Sequence, residues 1–283
     1  MNISGKTKIY GLIGNPIENS ISPQIHNKLA EIFFLDIAYV PFKINKNDQA
    51  KIFSALRQLN IAGVNVTSPY KNLDLKYFVA ADENVSITRS VNTIKNVDGN
   101  FFAFNTDVYG IEKTFERNQV EIYNKNVLIF GSGGAAKSVL YAAAKKNPKT
   151  IYIANRTFEK AVQLKKMFGA RFANTKIKVI GLDEIYSLKN IYLAVQATTV
   201  GFQNDLSIVK EDSFFKNVEV AFDLIYSPWE TKFLTDARKF DAKIINGYEM
   251  VICQAMKSFE IWHDVRISKE IEDELFFYIK RFV

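Results

Sequence analysis

The stretch 126–145, NVLIFGSGGAAKSVLYAAAK, decides the fold. A short apolar run, NVLIF, enters Gly131-Ser132-Gly133-Gly134-Ala135-Ala136 and passes straight into an apolar-periodic helix pattern. Glycines there permit a tight turn and let backbone N–H groups approach a pyrophosphate, whose charge sits at the helix N-terminus. Ala136 takes the third position of the usual G-x-G-x-x-G, a permitted variant. A glycine trio alone is a weak signal. The strand–glycine–helix context favours a dinucleotide over a plain tight turn or another nucleoside ligand, and it assigns Gly131, Ser132, Gly133, Gly134 and Ala135 to that cofactor.

The next strand pattern selects between dinucleotides. NAD sites place an Asp or Glu about 20 residues on, to hold the ribose 2′-hydroxyl. Here TIYIANRT (150–157) ends in Asn155, Arg156 and Thr157 with no carboxylate. Arg156 offers a planar fork suited to phosphate oxygens. Asn155 and Thr157 add hydrogen-bonding groups, and Lys160 follows. The expected cofactor is NADP(H).

Working outward, the first hundred residues alternate strand and helix patterns. KIYGLIG reads as a strand. SPQIHNKLAEIFFL reads as a helix with Ser22 as N-cap and Pro23 at the first helical position. IAYVPFKI is a strand, NDQAKIFSALRQL (47–59) a helix, and IAGVNVT a strand. NVDGNFFAFN has the form of a hairpin turning at Asp98-Gly99. Beyond NVLIF and TIYIANR come IYLAVQATT and VEVAFDLIY, then two tail helices, EMVICQAMKSFEIWH and SKEIEDELFFYIKRFV.

Such alternation predicts an α/β protein of two domains. Residues 1–106, completed by 247–283, form an α/β substrate domain, and 107–246 a Rossmann-type domain. No Gly/Ser/Pro-rich linker separates them, so a short hinge and a cleft are expected. The 283 residues suffice for two domains of ordinary size.

Composition narrows the class. No run approaches the ~20 apolar residues of a membrane span, and the start, MNISGKTKIYGLIG, lacks a signal-peptide pattern. A single cysteine, Cys253, excludes an intramolecular disulfide, and no Cys/His zinc cluster is present. The expectation is a cytoplasmic protein without metal. The net charge of +7 is spread in pairs such as Lys145-Lys146, which favours a generally basic surface over a nucleic-acid site. It would draw anionic small molecules over a Debye length of roughly 8–10 Å.

A hydride cofactor needs a partner to handle a proton when a carbonyl becomes an alcohol. His26 and His263 are candidates, though each pattern position favours packing or surface roles. Lys71 is the alternative: AGVNVTSPYK (62–71) delivers it beyond a strand's carboxyl end, where parallel-sheet sites form. Asp107, at the predicted domain border, can hold its charge.

With these pieces in order, the chain resembles the shikimate dehydrogenase family nearly end to end. GNPIENSISPQIHN resembles its amino-terminal serine motif and GVNVTSPYK its catalytic-lysine motif. SVNTI, NTDVYG, GSGGAA, NRT, QATTVGF, DLIYSPWETKFL and NGYEMVICQA follow in register. The resemblance implies reversible reduction of 3-dehydroshikimate to shikimate by NADPH. It implies Lys71 as proton donor and acceptor, with Asp107 bonding the lysine and a substrate hydroxyl. Ser20 and Ser22, helped by Tyr226, would bind the substrate carboxylate, while Asn65, Thr67, Asn92 and Gln254 hold ring hydroxyls. Leu224 and Gly247 would lie along the nicotinamide.

Departures from the family pattern are Arg89-Ser90 where Gly-Ala is usual, Gln196 for an asparagine, and Phe202 where methionine is frequent. Rival readings are a broader quinate/shikimate dehydrogenase using NAD, a non-catalytic NADP(H)-binding regulator, and a methylenetetrahydrofolate dehydrogenase-like enzyme. The expected partner is a small-molecule substrate, with neither nucleic acid nor membrane, in a monomer or homodimer.

Overall fold

The computed structural model describes residues 3–44, 49–169, 171–172 and 174–283. The chain divides into two compact units. The first runs to Gly110 and resumes over Ile252–Phe282; the second takes Ile111–Val251 and the terminal Val283.

In the first unit the chain order is β1 (Lys8–Gly14), α1 (Ser22–Ile32), β2 (Ile37–Lys43), α2 (Gln49–Gln58), β3 (Gly63–Val66), β4 (Ala80–Ala81), α3 (Glu83–Thr88), β5 (Thr93–Val97), β6 (Asn100–Phe104) and the start of α4 (Asp107–Arg117). Asn47 and Asp48, with which the second helix is predicted to begin, lie outside the described residues. The sheet order is β2-β1-β3-β5-β6-β4. β1 runs parallel to both β2 and β3, so the chain leaves β1 to one side and returns on the other. This places a switch point between β1 and β3, where open sheets form a crevice beyond the strand ends. The β5–β6 pair is antiparallel, turning through Asp98 and Gly99, both with positive φ.

Ser22 is not the N-cap of α1. Ile21 takes that position with φ −86 and ψ 1, and its carbonyl accepts the first helical bond, from Ile25 N–H. The near-helical backbone of Ile21 starts the helix one residue early, so Ser22 and Pro23 occupy its first two positions and the Ser22 hydroxyl is not spent on capping.

The second unit contains β7 (Asn126–Phe130), α5 (Gly134–Ala144), β8 (Thr150–Ala154), α6 (Phe158–Gly169), β9 (Lys176–Ile180), β10 (Ile191–Gln196), β11 (Val218–Asp223), α7 (Lys232–Arg238) and β12 (Lys243–Ile245). All neighbours are parallel, in the order β12-β11-β10-β7-β8-β9. This is the doubly wound arrangement with its switch point between β7 and β10. Val127–Phe130 and Ile191–Gln196 are buried throughout, as strands covered on both faces require.

Two further helices close the chain, α8 (Tyr248–His263) and α9 (Lys269–Ile279). The unit division falls within α4 and within α8. Trp262 of α8 lies across β3, where its indole N–H donates to Ile94 O at 3.0 Å. A Cβ on Gly63 would stand 2.6 Å from that indole nitrogen, so β3 admits the ring only because residue 63 is glycine. Among the described residues, no helix is long and apolar enough to cross a membrane.

Candidate active site

Three segments of the first unit arrive at one end of its sheet. β3 runs on through Thr67 to Lys71, whose carbonyl accepts from Val91 N–H at 2.7 Å. β5 is antiparallel to β3 with Thr93 opposite Asn65, so Asn92 stands at the same edge. β6 ends opposite Thr93, and Asn105-Thr106-Asp107 follow directly into α4. Residues distant in sequence therefore converge because the strand register leaves them no alternative.

There Lys71 Nζ meets Asp107 Oδ2 at 2.5 Å, with side chains 16% and 4% exposed. Asn92 Nδ2 donates to the other Asp107 oxygen at 2.8 Å. The carboxylate also occupies the first turn of α4, where the positive end of the helix dipole favours an anion. The ammonium keeps a partly open path to water; the carboxylate does not.

Beneath this pair lies a polar network that sequence reasoning does not foresee in full. Asn92 Oδ1 accepts from Thr106 N–H at 2.8 Å and from the Thr93 hydroxyl at 3.1 Å. Asn65 Nδ2 faces Asn92 O, Thr93 Oγ1 and Ser258 Oγ, and its Oδ1 accepts from Tyr39 OH at 2.8 Å. Its two N–H groups are thus committed inside the protein. Gln254 Oε1 lies 3.3 Å from Asn92 Nδ2. Thr93, Thr106, Tyr39 and Ser258 are the additions. The i,i+4 spacing of Gln254 and Ser258 on a helix is the signal that could have found the last.

Ser20 Oγ donates to Ser22 Oγ at 3.1 Å in the loop from β1 into α1. Thr67 follows β3 half-buried, its methyl group seated where a Cβ on Gly14 would fall, 2.3 Å away. Ser20, Ser22, Asn65, Thr67, Lys71, Asn92, Asp107 and Gln254 all belong to the first unit, and Tyr226 to the second.

Neither histidine serves as a proton carrier at neutral pH. His26 is fully buried, stacked on Tyr39 at 4.3 Å, with no hydrogen-bond partner at either ring nitrogen. Burial, reinforced by the charge of His263, outweighs the nearby Asn65 and pushes its pKa down to about 3. His263 is pushed down to about 4, first by burial and then by Lys95 and Lys8.

In the second unit, Gly131 has φ +115, and a Cβ there would stand 3.0 Å from Ala197 O, so the turn after β7 requires glycine. Gly133 is different: a Cβ on it would meet nothing within 4 Å. It is exposed and caps α5 in extended backbone, with no side chain bonded to the helix N-terminus. Open space above uncapped N–H groups fits a phosphate. Asn155 Nδ2 donates to Thr157 O at 2.7 Å, shaping the turn after β8. The exposed Arg156 and Lys160 side chains make no hydrogen bond or ion pair with the described residues. The donor set suits a dinucleotide carrying an extra phosphate.

Gly247 packs against the end of β11: a Cβ would lie 2.0 Å from Leu224 O, and Gly247 N–H donates to Ile225 O at 3.0 Å. Asp223 braces the same loop, accepting from Thr231 Oγ1 at 2.6 Å and Ile225 N–H at 3.0 Å, while burial pushes its pKa up to about 7. Gln196 is fully buried and ties its own loop through Val200 O, Thr198 N–H and the Thr198 hydroxyl. Phe202 is half-buried. Arg89 caps α3 in the left-handed region at φ 51 and is exposed. The family pattern's glycine is free of strain in that conformation. Among the described residues, no group of His, Cys, Asp and Glu could hold a metal ion.

Comparison with known proteins shows the family. Residues 12–94 match the family model described as shikimate dehydrogenase substrate binding domain, and residues 112–205 that described as shikimate / quinate 5-dehydrogenase. A shikimate dehydrogenase (NADP(+)) of Nitrosopumilus maritimus is 37% identical, covering 90% of this chain and 93% of that protein. One from Methanocaldococcus jannaschii is 36% identical, over 95% and 96% of the two chains. A crystal structure of a shikimate dehydrogenase in complex with NADP+ superposes with a TM-score of 0.87 at 33% identity, covering 100% of this chain and 98% of that one.

Proposed function

The chain belongs to the shikimate dehydrogenase family, and from that membership we propose that it catalyses the reversible, NADP(H)-dependent reduction of 3-dehydroshikimate to shikimate. The observation that carries the proposal is the part-buried Lys71–Asp107 pair at 2.5 Å, beyond the carboxyl end of β3.

NADPH, when bound, supplies the hydride. Gly131, Ser132, Gly133, Gly134 and Ala135 hold its pyrophosphate, and Asn155, Arg156, Thr157 and Lys160 hold the 2′-phosphate. Leu224 and Gly247 line the nicotinamide. As the substrate carbonyl is reduced, Lys71 Nζ donates a proton to its oxygen; in oxidation, the neutral amine takes the hydroxyl proton back. The partial exposure of Lys71 lets water restore the ammonium. Asp107 keeps the lysine at its post and accepts a hydrogen bond from a neighbouring substrate hydroxyl.

The substrate has one carboxylate and several hydroxyls. Ser20 and Ser22 bind the carboxylate, with the N-terminus of α1 adding its dipole. Thr67, Asn92 and Gln254 bind ring hydroxyls, and Asn65, whose N–H groups are occupied, supports them from below. A substrate lacking a hydroxyl leaves buried groups unpaired, which discriminates strongly. We place the enzyme in the cytoplasm, as a monomer or homodimer; its single cysteine, Cys253, is buried and forms no disulfide.

The test is the initial rate of NADP+ reduction by shikimate with purified protein, beside quinate and NAD+. Shikimate with NADP+ should be the fastest pair. Comparable rates with quinate and NAD+ identify a broader dehydrogenase, and tight NADPH binding without turnover identifies a non-catalytic binder.

A further inference from the structure

We infer that Ser258, on α8, is a positioning residue that holds Asn92, and through it the Asp107 carboxylate, in working orientation. The inference rests on the proposed function in one respect, that Asp107 and Lys71 act on the substrate.

Ser258 is fully buried. Its hydroxyl lies 3.0 Å from Gln254 O, 3.0 Å from Asn65 Nδ2, 2.8 Å from Thr93 Oγ1 and 3.0 Å from Thr106 Oγ1. A hydroxyl has one proton to give and two lone pairs to accept with. A buried helical serine commonly satisfies itself by bonding the carbonyl four residues back, and that bond alone would make it structural. Here three more side chains reach the same oxygen, from β3, from β5 and from the segment entering α4. The oxygen is a junction.

The chain of contacts is short. Thr93 and Thr106, both anchored on Ser258, also grip Asn92. The Thr93 hydroxyl donates to Asn92 Oδ1 at 3.1 Å, and Asn92 Nδ2 lies 2.9 Å from Thr106 Oγ1. With Oδ1 fixed by the Thr93 hydroxyl and by Thr106 N–H, the amide presents Nδ2 to Asp107. Removing the Ser258 hydroxyl leaves both threonines one partner short in a dry site, while the two Asn65 N–H groups keep Asn92 O and Thr93 Oγ1 as acceptors. The threonines' cheapest repair is to turn toward one another, 3.3 Å apart, which takes the Thr93 hydroxyl off Asn92 Oδ1 and loosens the amide.

The experiment is a double-mutant cycle on Ser258→Ala and Asn92→Ala, with kcat and KM measured for shikimate and for NADP+ and melting temperatures recorded alongside. Ser258→Ala should lower kcat for shikimate oxidation about tenfold and leave the KM for NADP+ unchanged. If Ser258 acts through Asn92, its effect shrinks in the Asn92→Ala background. Fully additive losses, or wild-type kcat and shikimate KM in Ser258→Ala, overturn the inference. A crystal structure of Ser258→Ala gives a readout independent of turnover: Asn92 should swing away from Asp107, and an unmoved amide overturns the inference even if a double variant fails to fold. Absence of shikimate turnover in the wild type instead defeats the proposed function and leaves the crystallographic outcome to decide on Ser258.

Discussion

Asn92 Nδ2 holds one oxygen of Asp107 at 2.8 Å while the Lys71 ammonium holds the other at 2.5 Å. A carboxylate gripped on both oxygens cannot rotate, and the lysine facing it has its position set by the same clamp. The clamp is made from residues that flank β3 and β5 and open α4, and the two strands pack over the sheet core of Val64, Val66, Ile94 and Ala103. Proton transfer at a chosen oxygen needs this kind of placement more than it needs an unusual group.

Lys71→Ala should therefore lower kcat by ~10²–10⁴-fold, the usual contribution of a positioned acid–base group. NADPH affinity, measured by fluorescence titration, should stay near that of the wild type. Near-full turnover in the variant would remove Lys71 from the proton-transfer role.

Ser22→Ala separates binding from folding. Because the hydroxyl is not the cap of α1, its loss should leave the melting temperature close to wild type and raise the KM for shikimate. A fall in thermal stability with an unchanged KM would return the hydroxyl to a structural role.

Arg156→Asp tests the cofactor assignment. Arg156 is exposed and engages no described residue, so its replacement should not disturb folding. A carboxylate there repels a 2′-phosphate and suits a free ribose hydroxyl. NADP(H) affinity should fall by at least about tenfold more than NAD(H) affinity, as expected for losing a charge-assisted phosphate contact and gaining repulsion. Equal losses for the two cofactors would refute the assignment.

These residues differ in how readily the sequence announces them. The glycine loop is legible because strand, turn and helix are contiguous, and Gly131 and Gly133 each have a local reason. Lys71 and Asp107, thirty-six positions apart, are singled out by the strand end and the domain border that bring them into view, and the family resemblance supplies their roles. Ser258, Thr93, Thr106 and Tyr39 are hidden, because their importance lies in which side chains meet across β3, β5 and α8. The edge strand β9 escapes notice because Lys176 and Lys178 alternate with its apolar residues in a short run. β12, only three residues long, has too little pattern to read. The mistaken cap at Ser22 has the same origin: serine before proline is a strong local cap signal, and the near-helical backbone of Ile21 overrides it.

Gly63→Ala probes how α8 docks on the first sheet. The added methyl would stand 2.6 Å from the Trp262 indole nitrogen and 3.0 Å from Ile94 O. Backbone on one side and a buried ring on the other leave it no room. Overpacking of this kind costs about 1–3 kcal/mol, and loss of the indole hydrogen bond to Ile94 O adds about 1 kcal/mol. Denaturant unfolding should show a loss of about 2–4 kcal/mol. Wild-type stability with unchanged tryptophan fluorescence would mean that Trp262 does not lie across β3 in solution.

Acid stability should be governed in large part by His26. Its folded pKa of about 3 lies below the ordinary histidine value of 6.5, so the unfolded chain binds the proton that the folded chain refuses. Stability from this group is fully present above pH 6.5 and is lost as pH falls toward 3. Between pH 7 and pH 5 the loss amounts to about 2 kcal/mol, from about 1.4 kcal/mol per pH unit below the unfolded pKa. His263, pushed down to about 4, titrates in the same direction, so the wild type should lose stability steeply in mild acid. His26→Leu removes the titrating ring and keeps a side chain of similar volume against Tyr39 and Trp262. Whatever its stability at pH 7, its curve of unfolding free energy against pH should be flatter than that of the wild type by about 2 kcal/mol over that interval. Parallel curves for the two proteins would show that His26 does not stay neutral in the folded state.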